Sequence, residues 1–322
     1  MSFPVQVMRE ARTRYQRQRQ RQEAEADRLR RAAYDRQPRL RALDLQLRAT
    51  VAQVMAAAFQ QRSDPGNALE KARRDNKAAQ EERQALLLEM EIPDYLDLAA
   101  PCPRCGGTGW EGQQLCSCLR QICRQVQMEQ FASLPGRNVP GFESFRLDLY
   151  STVYDKKFNS TPQEQMRGVL DYCRRWVDGF GPGSASLLMT GGTGLGKTLL
   201  SACLGRSLTM KDVGVLYRRA GELLREYESA QFGGQPRPQY YEEVELLILD
   251  DLGTEMSTQF TNATLYGLLD GRLLAQRPTI ISTNLSVANL QQRYPPQLIS
   301  RLLGEYETML FFGDDLRMRE EA

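Results

Sequence analysis

The stretch GGTGLGKT, residues 191–198, constrains the fold of this 322-residue chain more than any other. It follows the apolar run SLLMT and precedes LLSACL, so a buried strand should end and a helix should begin around a glycine-rich turn. In that context G-x-x-x-x-G-K-T predicts a phosphate-binding loop, whose backbone N–H groups and helix N-terminus face an anion. The residues expected to cradle a nucleotide are Gly191, Gly192, Thr193, Gly194, Leu195, Gly196, Lys197 and Thr198. Lys197 should reach the β- and γ-phosphates of ATP, and Thr198 should offer its hydroxyl to Mg²⁺.

Two later stretches supply the polar side chains that hydrolysis of a nucleoside triphosphate needs. LLILDDLG predicts a buried strand with Asp250 at its carboxyl end, where a carboxylate can hold Mg²⁺. The adjacent Asp251 is placed to orient or deprotonate an attacking water. TIISTN predicts a further strand ending in Asn284, which could hydrogen-bond the γ-phosphate or that water. Asp251 is one methylene shorter than a glutamate, so we expect slow intrinsic turnover.

Two arginines could complete such a site. Arg301, on the predicted helix LISRLLGEYE, is the candidate arginine finger, which would neutralise transition-state charge on the nucleotide of a neighbouring copy. Arg317 is a weaker candidate for a second phosphate-sensing arginine. The alternative for either residue is an ordinary exposed arginine.

Short apolar runs alternate with amphipathic stretches from about Leu147 onward. VGVLYR joins the runs already quoted as a buried parallel strand, with helices between the strands. This alternation predicts an α/β layered domain over residues 151–322.

The combination GGTGLGKT, LLILDDLGTE, IISTNLS and SRLLG resembles that of AAA+ ATPases. Within that class it is similar to the bacterial replicative helicase loaders of the DnaC/DnaI type and to the IstB-like transposition ATPases that share their core. The resemblance covers roughly residues 140–318. It implies a P-loop core with a parallel sheet flanked by helices, and a C-terminal lid that is reduced or absent, since only about twenty residues follow Arg301.

The resemblance also implies roles for particular residues. Subunits would assemble side by side with ATP at their interfaces, and Arg301 of one subunit would complete the site of the next. By family analogy, roles carry over to Lys197, Thr198, Asp250, Asp251, Asn284 and Arg301. Arg218, Arg219 and Arg225 lie where this family's DNA-contacting elements tend to be, although solvated helix arginines are the alternative.

Four cysteines cluster in CPRCGGTGWEGQQLCSC: Cys102, Cys105, Cys116 and Cys118. The spacing C-x₂-C-x₁₀-C-x-C suits tetrahedral Zn²⁺, and with no open position it predicts a structural site. Zinc binding contributes about 10–16 kcal/mol of folding energy in small modules of this kind. Four free thiols are the alternative, and Cys123 is expected to take no part. Clustered rather than paired cysteines indicate a reducing compartment.

The first 98 residues predict helices. Pro38 should separate two of them, after which one apolar seam comprises Leu40, Leu43, Leu47, Val51, Val54 and Ala58. Asp64 and Pro65 predict a turn and a new helix, whose seam of Leu69, Ala72, Ala79, Leu86 and Met90 is diluted by Asn76 and Arg83. A packed appendage and a partner-docking module both fit this helix pair. Up to Arg48, thirteen arginines face six acidic residues, which predicts either a solvated face or a footprint for nucleic acid or an acidic partner.

Composition excludes several other classes. The chain contains no histidine, so it can build neither a Ser-His-Asp site nor an HExxH zinc protease. No run approaches the ~18 consecutive apolar residues of a membrane span, and the first residues lack the features of a secretory signal. A cytoplasmic location is therefore expected.

These observations predict four segments: a helical adaptor over 1–98, a zinc module over 99–135, a linker over 136–150 and the ATPase core over 151–322. The resemblance to the DnaI type, with its helicase-binding adaptor and zinc module, implies an ATP-dependent loader. The N-terminal region would bind a replicative hexameric helicase, and the core would bind ATP and single-stranded DNA as a homo-oligomer. The alternatives are an IstB-like transposition ATPase acting on target DNA and a nucleotide-gated adaptor with little hydrolysis.

Overall fold

The computed structural model describes residues 3–59, 65–131, 141–234 and 236–318. For residues 50–72 it describes the backbone only, where it describes them at all. The chain forms two compact units, Arg12–Leu119 and Met1–Ala11 together with Arg120–Ala322. The predicted segment boundaries stay a prediction, and the one at 135 falls outside the described residues. So do the predicted N-cap at Asp64 and the side chains of Val51, Val54, Ala58, Leu69 and Ala72.

Helices and one short hairpin make up the first part of the chain that the structure describes. Its elements are α1 (Val5–Arg36), α2 (Pro38–Phe59), α3 (Pro65–Glu89), α4 (Tyr95–Ala99), β1 (Trp110–Glu111) and β2 (Gln114–Leu115). A new helix begins at Pro38, as predicted, because proline suits the first helical turn and cannot continue the preceding ladder. β1 and β2 pair antiparallel, with Trp110 opposite Leu115.

A buried ion cluster lies within the compact unit Arg12–Leu119, called the helical unit below. Arg83, which the sequence suggests only dilutes an apolar seam, is 5% exposed. Its Nε donates to Asp44 Oδ1 at 2.7 Å, and its two terminal nitrogens donate to Asp94 at 2.5 and 2.7 Å. The hydroxyls of Tyr34 and Tyr95 donate to Asp44 at 2.6 and 2.5 Å. A buried charge is tolerated only when its partners satisfy it in this way.

The remaining elements form the second unit's sheet and its covering helices, apart from residues 117–119 at the start of the first of these helices, which belong to the helical unit. They are α5 (Ser117–Glu129), α6 (Pro162–Asp178), β3 (Ser186–Gly191), α7 (Lys197–Met210), β4 (Val215–Arg219), α8 (Ala220–Phe232), α9 (Tyr240–Glu243), β5 (Leu246–Leu252), α10 (Gln259–Leu274), β6 (Thr279–Thr283), α11 (Val287–Arg293), α12 (Pro296–Gly304) and β7 (Tyr306–Phe311), with 3₁₀ turns at Phe142–Ser144, Leu147–Leu149 and Leu316–Met318. The predicted P-loop fold with a parallel sheet flanked by helices is confirmed.

The five strands are parallel and lie in the order β4-β5-β6-β3-β7. The strand that leads into the glycine-rich loop is therefore separated from the strand that carries the two aspartates by β6. Because parallel strands end at the same edge of a sheet, Gly191, Asp250 and Asn284 are brought to one edge. Apolar clusters cover both faces of the sheet, which explains why the strands are continuous apolar runs.

Two glutamines of the α5 region satisfy the outer edge of β4. The Gln127 amide donates to Val213 O at 2.8 Å and accepts from Val215 N at 3.2 Å. Gln130 donates to Val215 O at 3.0 Å and accepts from Tyr217 N at 2.9 Å. Side-chain amides thus take the place of a sixth strand, which prevents the edge from pairing with another chain.

In the part of the chain that the structure describes, no helix is both long enough and apolar enough to cross a membrane.

Candidate functional site

The glycine-rich loop is shaped by its close neighbours. Gly191 has φ 147°, and a Cβ there would lie 1.9 Å from the carbonyl oxygen of Phe311 on β7. Gly194 has φ 70°, and a Cβ there would lie 1.7 Å from Asp315 Oδ1. Leu316 N also donates to Gly194 O at 3.1 Å, so the segment after β7 contacts the loop. Both positions favour glycine because of their positive φ, and at Gly191 a side chain would also meet the backbone of Phe311.

Lys197 is the first residue of α7 and is only 6% exposed. Its Nζ donates to the carbonyl oxygens of Gly191 at 2.9 Å and Gly192 at 2.5 Å. Burial lowers the pKa of Lys197 to about 8, although the charges of Asp250 and Asp251 oppose the shift. The ammonium group therefore lies within the loop that would receive phosphate.

Asp250, 3% exposed, accepts hydrogen bonds from three hydroxyl groups. Thr198 Oγ1 lies 3.1 Å from both carboxylate oxygens, Tyr217 donates to Oδ2 at 2.6 Å, and Ser282 donates to Oδ1. A carboxylate beside a threonine hydroxyl is the oxygen donor set that Mg²⁺ prefers, so the residues present fit this ion. The sequence pattern did not indicate a role for Tyr217 or Ser282. They could have been found only from the register, in which β4 and β6 flank the strand of Asp250.

Asp251 is turned towards Asn284 by an irregularity in β5. The pairing register with β6 shifts between Leu249 and Leu252, and Asp251 has φ 61°. Its N–H donates to Ser282 Oγ at 3.0 Å, and Asn284 Nδ2 donates to its Oδ1 at 2.9 Å. Burial, and then the charge of Asp250, raises the pKa of Asp251. A bulge of this kind re-aims a side chain, which here places the second carboxylate at the sheet edge.

The segment before the core also contacts the loop. The Tyr150 hydroxyl donates to Leu195 O at 2.8 Å, and the Phe145 ring stacks on the Tyr150 ring with centroids 5.9 Å apart. A Cβ on Gly196 would lie 2.8 Å from the Tyr150 hydroxyl. These residues fall in the stretch assigned to a linker from sequence, and their aromatic content was the signal that they pack.

The predicted arginines differ in whether they lie beside the phosphate loop and Asp250. Arg219 lies opposite Asp250 in the pairing of β4 with β5, and Arg317 follows Leu316, whose N–H donates to Gly194 O. Arg301 instead pairs with Asp270 of α10 at 2.8 Å and with Glu305 at 3.6 Å.

Of the remaining predicted arginines, Arg218 donates to Tyr217 O at 2.9 Å and lies 3.6 Å from Glu226, whereas Arg225 is exposed.

The four clustered cysteines of the helical unit come together in space. The sulfur atoms of Cys102, Cys105, Cys116 and Cys118 all lie within 4.8 Å of one another. The N–H of Gly109 approaches Cys105 Sγ at 3.3 Å. Four converging thiols at these separations fit one tetrahedral thiophilic ion. Cys123 instead lies beside Met8, with 3.6 Å between their sulfur atoms.

A phosphate loop after β3, next to the edge strand β7 of a parallel sheet, an acidic pair two strands away and an asparagine on the strand between them define a P-loop nucleotide-binding protein. The chain belongs to the family of IstB-like ATP binding proteins, whose family model matches residues 145–320, more than half of the chain.

Two relatives of this chain carry different names. The replicative helicase loader DnaC of Escherichia coli strain K12 is 23% identical over 161 residues, which are 48% of this chain and 66% of DnaC, just under two thirds. The protein y4uH of Sinorhizobium fredii, named as an insertion sequence ATP-binding protein, is 30% identical over 142 residues, which are 42% of this chain and 57% of y4uH.

Solved structures are more distantly similar. The crystal structure of DnaI covers 46% of this chain and 86% of DnaI, at 21% identity and a TM-score of 0.42. AMPPCP-bound DnaA from Aquifex aeolicus covers 56% of this chain and 54% of DnaA, at 18% identity and a TM-score of 0.45. The family assignment is carried by the match to the family model.

Proposed function

We propose that the site binds ATP with Mg²⁺ and hydrolyses it. The observation that carries this proposal is the contact of Thr198 with Asp250 directly beside Lys197. The loop N–H groups and Lys197 would hold the phosphates, and Thr198 and Asp250 would hold Mg²⁺. When bound, that ion supplies positive charge to the phosphate oxygens. Tyr217 and Ser282 would keep the Asp250 carboxylate in one orientation.

Asp251 is proposed to accept the proton of the attacking water. Its Oδ1 already accepts the amide of Asn284, so its Oδ2 would face the water. Because its pKa is raised, the carboxylate is a stronger base than a fully solvated aspartate and takes up a proton more readily. Asn284 would hold the carboxylate in place, which is a positioning role.

Arg301 is proposed to complete the site of a neighbouring copy. Its side chain is 38% exposed, and its partner Asp270 is also partly exposed. Ion pairs near the surface contribute about 0–1 kcal/mol, so exchanging Asp270 for a phosphate of the next subunit would cost little. Arg317 would act within its own subunit, because it follows Leu316, whose N–H donates to Gly194 O of the phosphate loop.

We further propose that hydrolysis serves the loading of a replicative hexameric helicase in the cytoplasm. The observation that favours this role is the compact unit Arg12–Leu119, with its own buried ion cluster and four converging cysteines. That unit would bind the helicase, zinc would hold its cysteine segment, and Arg218, Arg219 and Arg225 of the core would contact single-stranded DNA. DnaC, a relative named for this activity, supports the proposal.

Action on target DNA during transposition is a second candidate. The relative y4uH, named for an insertion sequence, has a higher sequence identity to this chain than DnaC has, although the matched segment is shorter. The two candidates differ in their partners: the first requires a helicase hexamer and single strands, and the second requires duplex DNA.

Light scattering of the chain mixed with the hexameric helicase, with and without Mg-ATP, tests the first candidate. We expect a complex with one copy of this chain per helicase subunit. Arg301→Ala should still bind but lose about 10³-fold or more of the ATP hydrolysis rate, as arginine fingers do elsewhere. Arg174→Ala is the matched control, because Arg174 is a similarly exposed helical arginine paired with one aspartate. Absence of the complex, together with tight binding to duplex DNA, would favour transposition.

A further inference from the structure

One stripe of α1 lies against the cysteine loop, residues 102–118. The Arg12 guanidinium lies 5.5 Å from the centroid of the Trp110 ring. The Tyr15 hydroxyl lies 3.7 Å from Cys118 Sγ and 4.0 Å from Cys105 Sγ. Residues three and four apart share a face of a helix, and the same face brings Arg19 to the loop.

Arg19 continues the stripe by one turn. Its terminal nitrogen donates to Gly107 O at 3.2 Å, between the first cysteine pair and Gly109. Glu23 accepts from the same guanidinium at 2.8 Å, which holds the side chain in that orientation. A Cβ on Gly107 would lie 2.4 Å from Arg19, so the loop approaches the helix closely.

Apolar packing contributes little to this stretch of α1. None of residues 12–25 is buried, whereas Ala26 and Ala33 further along are buried. A helix that is polar on all sides gains no stability from packing an apolar face. The polar and cation–π contacts to the cysteine loop are therefore suited to fix this stretch of the helix.

Four metal-bound thiolates carry more negative charge than a divalent ion neutralises. Donors outside the ligand set stabilise such a site and orient its ligands. The Gly109 N–H supplies one donor to Cys105. The Tyr15 hydroxyl can supply another, from a residue ninety positions away, and Arg19 brings positive charge to the loop.

We propose that Tyr15 and Arg19 are positioning residues for the four-cysteine metal site, so that metal binding and the docking of α1 residues 12–23 stabilise each other. The inference rests on the proposed zinc site and goes beyond it by assigning the metal a role in ordering α1. The coupling is reciprocal, so the factor by which the docked helix strengthens metal binding equals the factor by which the metal strengthens docking.

The metal should be open to exchange from one side. Cys102 and Cys118 line a cavity of about 220 Å³, together with Tyr15, Arg19 and Glu23.

The test uses the full chain loaded with Zn²⁺. Zinc content is measured first, and then the affinity by competition with a chromogenic chelator. We expect one zinc per chain, an affinity about 10-fold lower in Tyr15→Phe, and a larger loss in Tyr15→Phe/Arg19→Gln, within the roughly 10–100-fold range for outer-shell partners. Arg21→Gln, an exposed α1 arginine, is the matched control and should bind as the wild type does. The absorption of the cobalt-substituted variants should still report four sulfur ligands.

Hydrogen exchange measures the reciprocal effect. Removing zinc with the chelator should raise the amide exchange of residues 12–23 and leave the strands β3 and β5 unchanged. The inference is wrong, and the zinc site stands, if the wild-type chain binds one zinc but two further results are found. These are that Tyr15→Phe binds zinc as tightly as the wild type, and that the amide exchange of residues 12–23 is the same with and without zinc. If the wild-type chain binds no zinc, the proposed metal site fails, and the inference fails with it.

Discussion

Replacing Asp251 by asparagine removes one function while keeping the local structure. The side-chain oxygen of the introduced asparagine can still accept from Asn284 Nδ2, which donates to Asp251 Oδ1 at 2.9 Å. The backbone N–H bond to Ser282 Oγ does not involve the side chain. Asparagine also tolerates the positive φ of 61° at this position as well as aspartate does. The substitution therefore removes chiefly the capacity to accept a proton.

The expected fall in the rate of ATP hydrolysis follows from the loss of this proton acceptor. A positioned general base contributes about 10²–10⁴ in rate, which corresponds to roughly 3–5 kcal/mol at 1.36 kcal/mol per decade. Affinity for ATP should stay the same or rise, because a negative charge near the phosphates is removed. Stability should also be equal or greater: the folded state raises the pKa of Asp251, so its charged form disfavours folding at neutral pH.

Single-turnover hydrolysis of radiolabelled ATP and equilibrium binding of a fluorescent ATP analogue, measured on the same preparations, check these expectations. Asp178→Asn, a change at an exposed aspartate of α6, controls for the loss of one surface charge. A rate within about threefold of the wild type would refute the assignment of Asp251 as the base, given the expected 10²–10⁴. Helicase loading by Asp251→Asn would show that nucleotide binding alone suffices, as in a nucleotide-gated adaptor.

Three further predictions concern neighbouring side chains. Burial lowers the pKa of Lys197 to about 8, so Lys197 loses its charge and the affinity for ATP should fall as the pH rises above about 8. Lys197→Arg keeps its charge and should show no such fall in a titration from neutral to mildly alkaline pH. Tyr217→Phe removes a charge-assisted hydrogen bond of about 1.5–3 kcal/mol from Asp250, so the Mg²⁺ concentration for half-maximal nucleotide binding should rise; an unchanged magnesium titration would contradict the positioning role. Arg83→Ala leaves a buried aspartate unpaired and should destabilise the helical unit by about 3–5 kcal/mol, which would be measured as faster hydrogen exchange in α3. Arg73→Ala, on the exposed side of the same helix, should cost under about 0.5 kcal/mol.

Patterns that are local in sequence could be interpreted directly. The glycine loop between an apolar run and a helix, and the aspartate pair after LLIL, each lie within about ten residues, so their conformation depends on neighbours along the chain. The parallel sheet followed from the apolar runs, because strands buried on both faces cannot alternate polar and apolar residues. The helix start at Pro38 followed from the chemistry of proline.

Contacts between distant segments were decided by the tertiary structure. The meeting of Tyr217 and Ser282 at Asp250 depends on strand order and register, which no single strand specifies. Arg83 interrupts an apolar seam in sequence, but it is buried because Asp44 and Asp94, 39 and 11 positions away, come to it.

One physical reason explains which features the sequence determined and which only the tertiary structure decided. Backbone dihedrals and hydrophobic periodicity act over a few residues, so the sequence by itself determined the glycine loop, the strands β3 to β6 and the order of the chemical groups. The prediction of a helix over LISRLLGEYE was wrong at its end, because α12 ends at Gly304 and β7 begins at Tyr306. Hydrogen bonds and ion pairs between side chains act over a few ångströms of space, whatever the separation along the chain. Only the folded chain therefore decided which hydroxyls hold Asp250, which carboxylates neutralise Arg83 and which residues of α1 reach the cysteines.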